Sequence, residues 1–203
     1  MARTRAADYG SKRRSILDQS AKVFAAQGYD KTSMAQIAKT CGFSKALLYH
    51  YYENKEALLT DIIQVHLEEL LNEVQAAVNG DLPPKAQLQA LVTALLLAYE
   101  DADDKHKLQI NELSFLPKER QVGLKQLERD LVTIFADAVI AASPAVASRD
   151  KMIMPVTMSL FGILNWTYLW FRPTGDLTRT DYAELVTNLI IDGTRHLQSS
   201  AGT

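Results

Sequence analysis

The chain has 203 residues, which is enough for one large domain or two small ones with a buried core. Its formal net charge of −2 conceals an asymmetry: residues 1–55 carry ten Lys and Arg against four Asp and Glu, and residues 56–203 carry twelve against twenty. A basic end on an acidic body favours a protein that meets phosphate at one end only. The single cysteine, Cys41, excludes an intrachain disulfide and a cysteine-rich metal site.

The first ten residues contain Arg3 and Arg5 and no apolar run, so we expect no signal peptide. We predict a disordered basic arm over residues 1–10. Two roles stay open for it, a solvated tail and a segment that touches the backbone of a nucleic acid.

Residues 32–55, TSMAQIAKTCGFSKALLYHYYENK, predict a helix, a tight turn and a second short helix. Ser33 and Gln36 have the spacing of a capping box at the start of the first helix. Apolar residues then recur at positions i, i+3, i+4 and i+7 of a short helix, at Met34, Ile37, Ala38 and Cys41.

The turn and the second helix complete this pattern. Gly42 can take the positive φ that ends a helix, and Ser44 is a good N-cap for the next one. Residues 45–51 then bring a lysine, a histidine and two tyrosines onto one short segment, which a purely structural hairpin would not explain. The arrangement predicts a helix-turn-helix that reads DNA.

Together these residues resemble the N-terminal domain of the TetR family of transcriptional regulators over about residues 11–60. The residues that carry the resemblance are Ile16-Leu17, Phe24, Gly28-Tyr29, Thr32-Ser33, Ile37-Ala38, Gly42-Phe43-Ser44, Leu48-Tyr49, Tyr51-Tyr52 and Asn54-Lys55. One departs from the family pattern: Tyr52 stands where phenylalanine is typical, so its hydroxyl needs a partner or a route to solvent.

The resemblance implies which side chains would meet DNA. Lys45, Ala46, Leu47 and His50 would face base edges, and the Tyr49 and Tyr51 hydroxyls would hold phosphates. Thr32 and Ser33, at a helix N-terminus, and Lys55, at the start of the fourth helix, would also meet phosphate, and Ser44 completes the predicted DNA-binding set. Leu48 and Tyr52 would point inward and support the recognition helix.

No strand alternation of useful length appears, so the fold class is predicted to be all-α with about nine helices. The predicted ranges are 11–27, 33–41, 45–51, 55–79, 84–102, 104–115, 118–142, 149–171 and 180–198. We expect a three-helix DNA-binding domain at 11–55 and a helical bundle for ligand binding and dimerisation at 56–203. No Gly- or Ser-rich linker separates the two.

The last two predicted helices carry wide apolar stripes, which favours a homodimer built as a four-helix bundle. The predicted interface residues are Leu160, Leu164, Leu185, Leu189 and Gly193. Residues 152–171 are uncharged and long enough to cross a bilayer, but their polar residues favour a helix buried on all sides in a soluble protein. For the homodimer, one alternative stays open: the apolar stripes of these two helices pack only on the core of their own chain.

Aromatic residues concentrate in the C-terminal body and predict an effector pocket, although aromatics also simply fill cores. The predicted ligand-binding set is Tyr99, Asn111, Phe115, Phe161, Asn165 and Trp166. The Asn165 amide lies in an apolar run and would cost about 1–3 kcal/mol if unpaired. Residues 160–185 also resemble the C-terminal helices of TetR-type regulators of aromatic or fatty acid breakdown, which implies an acyl-CoA thioester as one effector class.

The sequence therefore predicts a cytoplasmic, ligand-responsive repressor that binds a pseudo-palindromic operator as a dimer and is released by a small organic effector. Its expected partners are double-stranded DNA, the effector and a second copy, with no membrane. One alternative is a DNA-binding regulator without small-molecule control, and another is an enzyme. The four histidines show no metal-ligand spacing and no nucleophile or phosphate-loop motif is present, so we expect no cofactor and no metal.

Overall fold

The computed structural model describes residues 2–172, 174–195 and 197, with side chains from residue 9 onward. Within those ranges the regular elements are helices and no strand occurs, which confirms the all-α fold class. The helices are α1 (Ala2–Gln27), α2 (Met34–Thr40), α3 (Lys45–Tyr51), α4 (Lys55–Ala76), α5 (Pro84–Ala98), α6 (Asp103–Glu112), α7 (Lys118–Ala142), α8 (Pro144–Ala147), α9 (Asp150–Asn165), α10 (Thr167–Trp170) and α11 (Arg179–Thr194). A 3₁₀ turn, Leu113–Phe115, follows α6.

Several predicted boundaries differ from the structure: α4 ends at Ala76 and α5 at Ala98, three and four residues before the predicted ends, and the largest differences concern α1 and α9. The helix expected to begin at residue 11 begins at Ala2, so residues 2–10 are helical and not a disordered arm. This segment is rich in Ala and Arg, which favour helix, and it contains no proline. The helix expected over 149–171 is divided at Trp166, next to which the Thr167 hydroxyl donates to the Leu164 carbonyl oxygen at 2.7 Å. Such local hydroxyl bonds compete with the helical ladder.

The first of two compact units comprises Met1–Leu67 and Ala102–Lys125. Helix α6 packs on α1 in this unit, where Lys105 pairs with Asp18 at 2.7 Å and the Lys107 ammonium donates to the Ala25 carbonyl oxygen at 2.9 Å. The core of the unit is formed by buried side chains such as Ile16, Leu17, Phe24, Ile37, Leu48, Leu58, Leu59, Ile62 and Ile63. This unit is larger than the DNA-binding domain predicted at 11–55, and that functional boundary stays a prediction.

The second unit comprises Glu68–Asp101 and Gln126–Thr203. Its main packing joins α5 to α11, and α9 also packs on α11. Leucine, isoleucine and valine side chains from α5, α9 and α11 fill the core, together with an edge-to-face ring pair of Phe135 and Phe161 whose centroids lie 5.0 Å apart.

Helix α9 has one buried face and one exposed face. Leu160 and Leu164 are fully buried, whereas Met154 and Met158 on the opposite face are about half exposed. The predicted burial of α9 on all sides is therefore wrong within one chain, because α9 lies at the surface of its unit with only one stripe against the core. By length and composition alone, Asp150–Trp170 could cross a membrane.

Candidate nucleic-acid interface

Local hydrogen bonds shape the turn between α2 and α3 as the sequence predicts. The Ser33 hydroxyl accepts from the Gln36 backbone N–H at 3.2 Å, and the Gln36 side-chain oxygen accepts from the Ser33 N–H at 2.8 Å. Gly42 adopts φ 68°, and the Ser44 hydroxyl accepts from the Leu47 N–H at 3.0 Å. The predicted capping box, turn glycine and second cap are all confirmed, and they fix where α3 begins.

Helix α3 rests on a partly buried polar network as well as on an apolar side chain. Leu48 is fully buried, and the Tyr52 hydroxyl donates to Asp61 Oδ2 on α4 at 2.6 Å. Arg13 on α1 donates to both oxygens of the same carboxylate, at 2.9 and 2.5 Å. Burial first, and then the hydrogen bond to Asp61, raise the pKa of Tyr52 above its ordinary value. The partner that the Tyr52 hydroxyl needed is therefore Asp61, which is outside the turn itself.

The opposite side of α3 is open to solvent. Lys45, Ala46 and His50 are exposed, Tyr49 is 53 % exposed, and Leu47 is half-buried. The structure thus brings the predicted base-facing residues to one accessible surface. Since α3 presents this surface while its other face is anchored, it has the form of a recognition helix that can enter a major groove.

Part of the predicted phosphate-contacting set also comes together. Thr32, Ser33, Tyr49 and Lys55 line one open cleft of ≈ 490 Å³ beside α2 and α3. Two of these residues, Thr32 and Lys55, already donate to backbone carbonyl oxygens of the protein.

The Thr32 side chain is buried, and its hydroxyl donates to the Gly28 carbonyl oxygen at 2.7 Å. A hydroxyl has one proton, so this group cannot also donate to a phosphate. The Lys55 ammonium donates to the carbonyl oxygens of Tyr29 and Asp30 at 3.1 and 3.3 Å and lies 4.3 Å from the centre of the Tyr29 ring. Lys55 therefore closes the turn after α1 with two of its three donors, and its contact with phosphate stays a prediction.

Tyr9 is a residue at this surface that the sequence reasoning missed. Its ring stacks on Tyr51 of α3, with centroids 4.7 Å apart and planes 23° apart. Tyr51 in turn meets His50 edge to face at 5.5 Å. No pattern in the sequence connects the two rings, because they lie 42 positions apart in the chain.

The predicted effector residues fall into different compact units. Tyr99, Phe161 and Asn165 lie in the second unit, where the buried Tyr99 hydroxyl donates to the Asn165 side-chain oxygen at 2.8 Å. The partner required by the Asn165 amide is thus a protein group. Burial raises the pKa of Tyr99, which keeps its hydroxyl in the donating form.

Three members of that set are exposed. Asn111 and Phe115 belong to the first unit, Phe115 is 80 % exposed, and the Asn111 amide donates to the Lys107 carbonyl oxygen at 2.9 Å. Trp166 is in the second unit but is more than half exposed. Helical periodicity does not decide which way these side chains face, so the part of Asn111, Phe115 and Trp166 in an effector pocket stays a prediction.

The predicted interface residues divide in the same way. Leu160 and Leu164 are fully buried in the core of their own chain, so they are not available to a second copy. Leu185 and Leu189 are about half exposed, and Gly193 is exposed one helical turn further along α11. The sequence identified the apolar content of α9 correctly but assigned the wrong face.

The capped turn and the anchored, outward-facing α3 define a helix-turn-helix DNA-binding protein. Two family models match it: "Bacterial regulatory proteins, tetR family" over residues 16–62 and "Tetracyclin repressor-like, C-terminal domain" over residues 81–194. The second match alone covers more than half of the chain. The protein therefore belongs to the TetR family of transcriptional regulators.

Individual relatives agree with this assignment. The transcriptional repressor KstR2 of Rhodococcus jostii is 26 % identical over 187 residues, which is 90 % of each chain. A TetR-family regulator from Bordetella parapertussis has a similar crystal structure, with a TM-score of 0.83, 33 % identity and coverage of 89 % of this chain and 94 % of that one.

A second similar structure is that of AibR in complex with isovaleryl coenzyme A and operator DNA, with a TM-score of 0.76, 27 % identity and coverage of 88 % of this chain and 97 % of that one. These proteins are transcriptional regulators, so the chain is a DNA-binding regulator and not an enzyme.

Proposed function

We propose that the protein is a cytoplasmic repressor that binds a pseudo-palindromic operator as a homodimer and leaves it when a small organic effector binds. The observation that carries the proposal is the exposed face of α3, which is held in place by the buried Leu48 and by the Tyr52–Asp61 hydrogen bond. The repressor function is supported by the similarity to KstR2.

Base reading is assigned to the exposed residues of α3. Lys45 offers an ammonium group to acceptors on a purine edge, as on guanine, and Ala46 offers apolar contact to a thymine methyl. Tyr49, which lines the same cleft as Ser33, is assigned to donate to phosphate. Phosphate contacts set the register of the helix and carry no sequence information.

The test begins with selection of an operator from random duplexes and continues with binding isotherms at several salt concentrations. Lys45→Ala should lose about 1–3 kcal/mol at its preferred base and relax the sequence preference there. Tyr49→Phe should weaken all sites alike. Lys85→Ala removes an exposed lysine of the second unit and serves as the charge-matched control. If Lys45→Ala leaves both affinity and preference intact, the recognition helix has been misassigned.

Dimerisation is assigned to the exposed stripes of α9 and α11. Met154, Met158 and Gly162 follow each other at i, i+4 and i+8 on the exposed side of α9. Leu185, Leu189 and Gly193 have the same spacing on α11. Two apolar stripes on adjacent surface helices of one unit suit a twofold interface of four helices, because the same surface on a second copy can cover them.

Sedimentation at micromolar concentration should give twice the chain mass for the wild type. Leu189→Arg should give a monomer with weakened operator binding. One recognition helix makes few base contacts, so affinity depends on two DNA-binding domains that meet half-sites about 34–36 Å apart. Val122→Arg changes an equally exposed apolar residue on α7 and should stay dimeric. A wild-type monomer at these concentrations would contradict the assignment.

An acyl-CoA thioester is the effector class that we put first. It is supported by the similarity to AibR, whose described complex contains isovaleryl coenzyme A, and by the hydrogen-bonded Tyr99–Asn165 pair beside Phe161 in the apolar core of the second unit. A ligand that inserts at this pair has to offer polar atoms in place of the bond it breaks, because an unpaired buried hydroxyl or amide is costly. A thioester carbonyl can accept the hydrogen bond that Tyr99 now donates.

Isovaleryl-CoA and longer acyl-CoA thioesters should be titrated into the protein–operator complex, with free coenzyme A as the control. If the effector lowers the affinity for operator by a certain factor, operator should lower the affinity for the effector by the same factor, typically about 5–150-fold. This follows because binding linkage is reciprocal. Tyr99→Phe, which cannot donate, should bind the thioester more weakly. Release by a ligand whose affinity is unaffected by operator would show direct competition or unfolding, and no response to any thioester would favour a regulator of another effector class.

A further inference from the structure

One face of the N-terminal half of α1 contacts the recognition helix and its supports. Tyr9, Lys12 and Arg13 have the i, i+3, i+4 spacing of neighbours on a helix surface. Tyr9 stacks on Tyr51, the last residue of α3. The Lys12 ammonium lies 6.0 Å from the centre of the Phe43 ring, in the turn before α3.

Arg13 completes this face at the level of the buried network. Its guanidinium donates to both carboxylate oxygens of Asp61, and the hydrogen bond to Asp61 is the largest cause that raises its pKa. Asp61 also accepts from Tyr52, the residue that caps the C-terminal end of α3. Helix α1 therefore supports α3 at both ends and from beneath.

The three contacts differ in what they can do for DNA binding. Arg13 contacts Asp61 and Lys12 contacts Phe43, and both of these partners lie outside α3. Tyr9 instead contacts a side chain of α3 itself. Tyr51 is only half-buried and adjoins the exposed His50, whose ring it contacts edge to face. The stack on Tyr9 restricts the rotamers open to the Tyr51 ring at the end of this seven-residue helix.

We propose that Tyr9 is a positioning residue for DNA binding, which stacks on Tyr51 and holds the Tyr51 and His50 rings in the orientation that the operator requires. This inference rests on the proposed role of α3 as the recognition helix. Side chains that are ordered before binding lose less conformational entropy on association. Holding the Tyr51 and His50 rings in place should therefore raise the affinity for the operator. The offset arrangement of the two rings, 4.7 Å apart and 23° from parallel, is a favourable stacking geometry.

The experiment is a double-mutant cycle in operator affinity, measured on the selected duplex by fluorescence anisotropy. Tyr9→Ala should weaken binding by a factor of about 2 to 12, which corresponds to the energy of one aromatic pair. Tyr9→Phe keeps the ring and should bind within twofold of the wild type. In a Tyr51→Ala background, Tyr9→Ala should have no further effect, because its partner has already been removed.

Two results would overturn the proposal. If Tyr9→Phe loses as much affinity as Tyr9→Ala, the hydroxyl contacts DNA directly and stacking is not the reason. If Tyr9→Ala costs the same with and without Tyr51, the two residues act independently. Circular dichroism and unfolding midpoints are recorded for every variant, and Tyr9→Leu replaces Tyr9→Ala in the cycle if alanine shifts the midpoint. A purely structural role would lower the midpoint without coupling to Tyr51.

The same measurements separate this inference from the proposed function. If Lys45→Ala and Tyr51→Ala both leave operator binding unchanged, α3 is not the recognition helix and the proposed DNA-reading surface is wrong. If those two variants weaken binding while Tyr9→Ala does not, α3 reads DNA and only the role of Tyr9 is refuted.

Discussion

Acidification should destabilise the first compact unit through a buried histidine pair. His66 on α4 and His106 on α6 are both 1 % exposed, and His66 Nε2 lies 3.4 Å from His106 Nδ1. Burial, with smaller contributions from His106 and Lys105, lowers the pKa of His66 from 6.5 to about 3. At neutral pH the His66 ring is thus held uncharged where α4 meets α6.

The direction of the effect follows from the two pKa values. Because the pKa of His66 is lower in the folded chain than in the unfolded chain, the unfolded chain takes up a proton that the folded chain excludes. The stabilisation is complete above pH 6.5 and is lost as the pH falls towards about 3. One pKa unit corresponds to about 1.4 kcal/mol, so moving from pH 7 to pH 5 should cost about 2 kcal/mol at this site.

Urea unfolding followed by far-ultraviolet circular dichroism at fixed protein concentration measures this loss. Between pH 7 and pH 5 the wild type should lose about 2 kcal/mol more than His66→Gln, which cannot titrate at this position. His50→Gln, which removes an exposed histidine from α3, is the matched control and should follow the wild type. If the wild type and His66→Gln show parallel pH profiles, the buried pair is not what couples stability to pH.

Three other substitutions test the local arguments by the same unfolding assay. Tyr52→Phe removes the donor to the Asp61 carboxylate and should cost about 1–3 kcal/mol, and an unchanged stability would mean that this bond does not support α3. Gly28→Ala should cost about 1–2 kcal/mol of unfolding free energy because Gly28 has φ 86°. Gly123→Ala, on the exposed side of the helix α7, should instead gain up to about 1 kcal/mol. Equal effects of the two substitutions would refute the backbone explanation. Tyr99→Phe should lose about 1 kcal/mol through the bond to Asn165, and a gain would show that the hydroxyl is not usefully paired.

The DNA-reading turn was determined by the sequence alone. Ser33, Gln36, Gly42 and Ser44 act through hydrogen bonds and backbone angles that involve residues at most four positions apart. Interactions over such short distances in the chain can be predicted from the order of residues, because helix capping and positive φ depend on side-chain type and spacing. The bounds of α3, Lys45–Tyr51, accordingly match the prediction.

Contacts between distant segments were decided by the tertiary structure. Lys55 has the charge and the position of a phosphate ligand, but folding brings it to carbonyl groups 25 and 26 residues earlier in the chain. Tyr9 meets Tyr51 for the same reason, since folding brings its ring to the end of α3 while no shared sequence pattern connects the two residues.

The choice between the faces of a helix also required the tertiary structure. Leu160 and Leu164 form a regular apolar stripe, but so do Met154 and Met158 on the other side of α9. Periodicity shows that a helix has an apolar face without showing which neighbour will cover it, and when both faces are apolar it cannot assign them. Packing against α11 within the same chain buries the leucines and leaves the methionines exposed, because each helix face is covered by whatever the fold places beside it.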